Sequence, residues 1–202
     1  MYCACVLGFP LSVSGQHQTS TFTPIDQSGT LPYRIKIQEL DFGTADLPGL
    51  HSYAAGTFDG KWVMIAGRTN GVHNLDSSGE GSFPAESQNR DVWVIDPLTK
   101  QSWHRSLGNP AIPGNDPVSG LSPNQIASLT PTNNQFEQVG NTLYMTGGYG
   151  LNPANNFTTF NTLTAIDLTG LVDWVIDGTG QAVDSIRQVD HPIVSVTGRA
   201  MH

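Results

Sequence analysis

Short apolar runs set off by glycine and proline make up most of this chain, and long amphipathic stretches are rare. The first clear signal is Arg34-Ile35-Lys36-Ile37-Gln38-Glu39-Leu40, which alternates polar with apolar residues at the period of a half-buried β-strand. Residues 16 to 32, rich in Gln, Ser, Thr and Pro without periodicity, read as a mobile leader that buries too little surface to order itself. One segment breaks the β pattern. In Ser122-Pro123-Asn124-Gln125-Ile126-Ala127-Ser128-Leu129 a capping serine, proline at the first helical position and apolar Ile126 and Leu129 predict a short helix.

Self-comparison gives the organisation. Gly60-Lys61-Trp62-Val63-Met64-Ile65-Ala66-Gly67-Arg68 lies over Gly140-Asn141-Thr142-Leu143-Tyr144-Met145-Thr146-Gly147-Gly148, and Asp91–Asp96 lies over Thr162–Asp167. In each copy a tryptophan, Trp103 or Trp174, follows the second aspartate at the same spacing. The stretch between glycine and aspartate is nine residues longer in the first copy, as for a surface-loop insertion. Each unit reads as four strands: Ser52 to Phe58, Lys61 to Ala66, Asp91 to Ile95 and Ser102 to Arg105, then Gln135 to Val139, Thr142 to Thr146, Thr162 to Asp167 and Val172 to Ile176. Ile193-Val194-Ser195-Val196-Thr197 reads as the first strand of a third unit. The expected boundaries are an opening stretch at 1–15, a leader with one strand at 16–46, units at 47–106 and 135–177 flanking an insert at 107–134, and the start of a further unit at 190–202.

Composition agrees with many turns and short strands: 22 glycines and 13 prolines stand beside only 13% charged residues in a chain of 202. A formal charge of -8 with no basic cluster argues against nucleic acid as a partner. The two cysteines, Cys3 and Cys5, lie in the apolar stretch Tyr2 to Val13, which is too short to span a membrane. Val13-Ser14-Gly15 offers small or compact residues at a cleavage position, so residues 1–15 read as a signal remnant of a secreted, cell-surface or periplasmic protein. Against this, the first basic residue is Arg34, and the alternative is a plain N-terminal strand.

The two units resemble Kelch repeats, in which a hydrophobic strand ends in paired glycines and a later strand ends in Asp followed by a turn and Trp. Gly147-Gly148, Asp167 and Trp174 fit that pattern; Gly67, Asp96 and Trp103 fit it with Arg68 at the second glycine. Ile95 and Ile166 replace the tyrosine usual beside the aspartate. Leu47-Pro48-Gly49-Leu50-His51-Ser52 with Gly67-Arg68-Thr69-Asn70-Gly71 and Gly147-Gly148-Tyr149-Gly150 is also similar to exported bacterial Kelch-containing proteins. The resemblance covers residues 47 to 202 and implies an all-β Kelch-type β-propeller, here a partial ring of two blades and the start of a third, with one short inter-blade helix. The remaining blades are then expected outside this chain.

The repeating residues carry structural roles: glycines serve turns, Trp103 and Trp174 pack between blades, and Asp96 and Asp167 accept backbone N–H bonds in turns. The non-repeating residues are the functional candidates. Arg68, which sits where the repeat expects glycine, either pairs with a carboxylate such as Asp91 or meets an acidic or sugar ligand. Its loop also offers Asn70 and His73, and ends at Arg90. Tyr149 and Asn152, with Asn155 and Asn156, bring an aromatic face and amides in the equivalent loop. His51 and His73 lack a carboxylate at ligand spacing, so no metal or other cofactor is expected.

A non-catalytic scaffold gripping protein or carbohydrate through its loops is the first reading. A sugar-active propeller enzyme of the sialic acid mutarotase kind, using Arg68 or Arg90 with a carboxylate, is the second, and a structural or adhesive surface module the third. A copper radical oxidase needs a cysteine crosslinked to tyrosine, and no cysteine lies beyond Cys5. Nucleotide, zinc-helix and Ser-His-Asp signatures are absent.

Overall fold

The computed structural model describes residues 40–71 and 83–198. The chain divides into two compact units, Met1–Asp41 and Phe42–His202. Of the first, only Leu40 and Asp41 are described. The opening stretch 1–15, the alternating segment 34–39 and His73 lie outside the described residues.

The second unit is predominantly β. β1 (Ala54–Phe58), β2 (Lys61–Ile65), β3 (Asp91–Asp96) and β4 (Gln101–Ser106) form one antiparallel sheet in that order. A short helix, α1 (Pro123–Leu129), leads to a second antiparallel sheet. Its strands are β5 (Gln135–Val139), β6 (Thr142–Thr146), β9 (Thr162–Asp167) and β10 (Ile186–Asp190), in the order β10-β9-β6-β5. Between β6 and β9 stands a small hairpin, β7 (Tyr149–Leu151) with β8 (Phe157–Thr159), and between β9 and β10 a helix, α2 (Leu168–Asp177). Thus β2 and β6 belong to different sheets, as the repeat requires.

α1 forms as its caps dictate: the Ser122 side chain accepts from the Gln125 N–H, Gln125 Oε1 accepts from the Ser122 N–H, and Pro123 opens the first turn. Two expectations fail. Val172 to Ile176 is not a strand but the middle of α2, and the fourth strand of the second sheet is Ile186–Asp190, paired with β9. The helix follows from Asp167, whose carboxylate accepts the Thr169 N–H, and from Gly178, which stops it at φ 74. Leu168, Leu171, Val172 and Val175 supply its apolar stripe. Nor is Ile193 to Thr197 a strand: a 3-10 turn occupies Pro192–Val194.

The registers also correct the repeat by one residue. The hairpin β1–β2 turns through Asp59-Gly60 and β5–β6 through Gly140-Asn141, so Lys61 corresponds to Thr142 rather than Asn141. Ala66 and Gly67, at φ 64 and 81, then match Gly147 and Gly148, at φ 66 and 84. Arg68 matches Tyr149, not a glycine. Left-handed backbone suits glycine, and Ala66 holds it with a side chain.

Further repetition joins the units. Ser52, Asn133 and Gly198 share a positive φ of 55, 60 and 69. The Asn133 N–H donates to the Ser52 carbonyl at 3.2 Å and the Gly198 N–H to the Asn133 carbonyl at 3.0 Å. Likewise Gly67 N–H reaches the Pro131 carbonyl (3.0 Å) and Gly148 N–H the Val196 carbonyl (2.8 Å). Residues 196–198 therefore follow the path that residues 131–133 take one unit earlier.

A single core spans both sheets and both helices, with Val63, Val94, Leu143, Ile166, Leu171 and Trp174 among its buried members. At the sheet edges, Gln138 on β5 treats β1 as a strand partner: Oε1 accepts the Thr57 N–H (2.7 Å) and Nε2 donates to the Thr57 carbonyl (2.8 Å).

Candidate functional site

The ends of β2 and β6 and the starts of β3 and β9 lie at one end of the two sheets, by their antiparallel registers. The loop after β2 and the β7–β8 hairpin meet there. Arg68 is only 2% exposed and is held by its backbone, which bridges to His51 on one side and Gln88 on the other. Thr132 and Tyr149 form the equivalent bridge in the second sheet.

The Arg68 guanidinium lies over the Phe83 ring, 4.5 Å from its centroid. Phe83 in turn meets Tyr149 edge-on at 5.3 Å, and Tyr149 stacks on Phe157 at 5.5 Å with 7° between the planes. Cation–π and aromatic contacts thus run from one loop into the other. Burial lowers the Arg68 pKa from its ordinary value by penalising the charged form.

The predicted residues separate into three groups. Arg68 and Tyr149 come together through Phe83. Asn152 sits in the turn of the same hairpin, where its Oδ1 accepts the N–H groups of Ala154 and Asn156, each at 3.0 Å. Asn70 is exposed in the loop after Arg68, while Arg90 is half-buried and lines a separate cleft of about 550 Å³ with Asp46, Glu86 and Trp93. Asp91, the carboxylate expected for Arg68, is held by His104: Nδ1 lies 3.0 Å from Oδ2, and the imidazole stacks on Trp93 at 4.3 Å. Among the described residues no group of three or more His, Cys, Asp and Glu is placed to hold a metal ion. No helix among them is long and apolar enough to cross a membrane.

Sequence reasoning missed Phe83 and Phe157. The signal available was Phe83 as the lone aromatic of its polar loop, and Phe157 as a second aromatic in the loop that already held Tyr149. Asp96 and Asp167 act as expected: Asp96 Oδ1 accepts the Leu98 and Thr99 N–H groups, and Asp167 caps α2. Compared with known proteins, the chain matches no family model and no curated protein.

Proposed function

We propose that the chain is a segment of a Kelch-type β-propeller acting, after export, as a non-catalytic scaffold that binds protein or carbohydrate at one end of its sheets. The observation that carries this reading is the convergence of equivalent positions: Arg68 and Tyr149 occupy the same place in successive units and share Phe83. The hydrogen bonds linking Ser52, Asn133 and Gly198 support a ring, because each unit engages the next through the same kink. In such a ring every unit contributes its loop to a common rim, and rims of this kind grip ligands through side chains from several blades. The apolar opening stretch ending at Val13-Ser14-Gly15 supports export.

Binding of the immobilised chain to a glycan microarray and to a panel of extracellular proteins tests the reading. Asn70→Ala and Tyr149→Ala should each reduce the signal on the recognised class. Binding that neither substitution changes overturns the assignment of the rim.

A further inference from the structure

Along the core-facing side of the second sheet, the cross-strand pairs change character within two steps. Ile166 and Ile186 pair inside the core; Thr164 faces Gln188 next, and Thr162 faces Asp190 beyond it. A side that merely continued the core would stay apolar. This one opens instead into a cleft of about 700 Å³ between α1, the β7–β8 hairpin and β10, a size within the usual range of small-molecule sites.

We propose that this cleft binds a neutral oligosaccharide. The polar side chains are already fixed: Gln188 Nε2 donates to Ser128 Oγ (2.8 Å) and Thr164 Oγ1 (3.1 Å), and the Thr162 hydroxyl donates to Asp190 Oδ1 (2.6 Å). Ser128 in turn donates to the Gln125 carbonyl. These bonds use the Gln188 amide protons and the Ser128 and Thr162 hydroxyl protons, and leave the Gln188 Oε1 and Asp190 Oδ2 acceptors with no donor among the described residues. Asn124 and Asn161 line the cleft with amides that both donate and accept, the property that a sugar hydroxyl matches with one atom.

Charge points the same way. The lining carries one cation and one anion, Arg187 and Asp190, and Arg187 Nη1 already donates to the carbonyls of Val183, Asp184 and Ile186. Nothing here favours a polyanion. Phe160 and Val183 supply apolar surface for the C–H faces of a pyranose. The inference narrows the proposed binding function to one ligand class and rests on that reading, but it uses the cleft beside the rim rather than the rim itself.

Solution NMR of the chain titrated with triacetylchitotriose and maltotriose, with sialyllactose as the anionic comparator, tests it. At least one neutral trisaccharide should shift the side-chain amide of Gln188 and the backbone amides of Ser128 and Asn161. Asn161→Ala should weaken that binding about tenfold, the loss of one good hydrogen bond, without lowering the melting temperature, because the Asn161 side chain is exposed and makes no hydrogen bond among the described residues. Gln188→Met should abolish the shifts at the Ser128 and Asn161 backbone amides. Silence at these positions with both neutral sugars, shifts insensitive to both substitutions, or binding of sialyllactose alone overturns the proposal. Shifts confined to Asn70, Tyr149 and Phe157 also overturn it, while leaving the rim reading intact.

Discussion

Arg68 shows how a one-residue slip changes a functional argument. Aligning on glycine pairs Gly60 with Gly140, yet the two hairpins turn through Asp59-Gly60 and Gly140-Asn141. Either central position of such a turn accepts a glycine, so glycine alone fixes the register only to within one residue. With the slip removed, Arg68 is the counterpart of Tyr149, and it is buried rather than at the surface. Arg68→Ala should therefore cost about 1–3 kcal/mol in chemical denaturation, because it removes the cation over Phe83 and leaves buried space behind. Arg68→Lys should recover only part of this, since lysine lacks the planar face. Gly147→Ala is expected to act locally: a Cβ there would collide with the Val196 carbonyl oxygen and displace residues 196–198. Amide hydrogen exchange should then rise at Gly148 and Gly198 and stay unchanged in β1 and β2. Asp96 was legible from its place before a turn, and its backbone bonds from Thr99 and Leu98 hold its pKa below the ordinary carboxylate value. A folded-state pKa below the unfolded one contributes stability above the unfolded pKa and loses it as pH falls through the folded value. Asp96→Asn should accordingly flatten the acid limb of the stability profile, measured by denaturation from neutral pH down to pH about 2.

At the scale of elements, seven of the eight expected strands of the two units form close to where alternation and glycine placed them, and the helix α1 forms as its capping box requires. The failure was Val172 to Ile176. Its β-branched residues and its match to the first unit favour a strand locally, but Leu168, Leu171, Val172 and Val175 carry the helical spacing, with Asp167 and Gly178 as caps. Tertiary packing decides the competition, because the helix brings Trp174 to the core at 1% exposure beside Arg105 of β4. Trp174→Ala should cost about 3–5 kcal/mol, the usual range for emptying a buried aromatic site. Trp103→Ala should cost less, its side chain being only half-buried against the same core. Thermal melts of the two variants compare them directly. The displaced fourth strand, β10, was illegible because nothing local in Ile186-Arg187-Gln188-Val189-Asp190 says which sheet it joins; its partner β9 lies across the helix.

For the molecule as a whole, the repeat was legible in glycines and aspartates; Trp103 and Trp174 share a spacing but stand on a strand and on a helix, and the links between units were not legible. Gln138 is an unremarkable polar residue in sequence, yet its amide completes the edge of β1 across the gap between sheets. The candidate site was half legible for a similar reason: Arg68 and Tyr149 stood out chemically, while Phe83 and Phe157 gain meaning only when the loops meet. That meeting is the central claim, and the nuclear Overhauser spectrum of the folded chain tests it most directly. With ring centroids 5.3 Å apart, Phe83 and Tyr149 should give cross-peaks between their ring protons, accompanied by cross-peaks from Tyr149 to Phe157. A spectrum in which Tyr149 contacts Phe157 but shows no cross-peak to Phe83, in a chain otherwise well dispersed, would contradict the convergence of the two loops and the binding rim built on it.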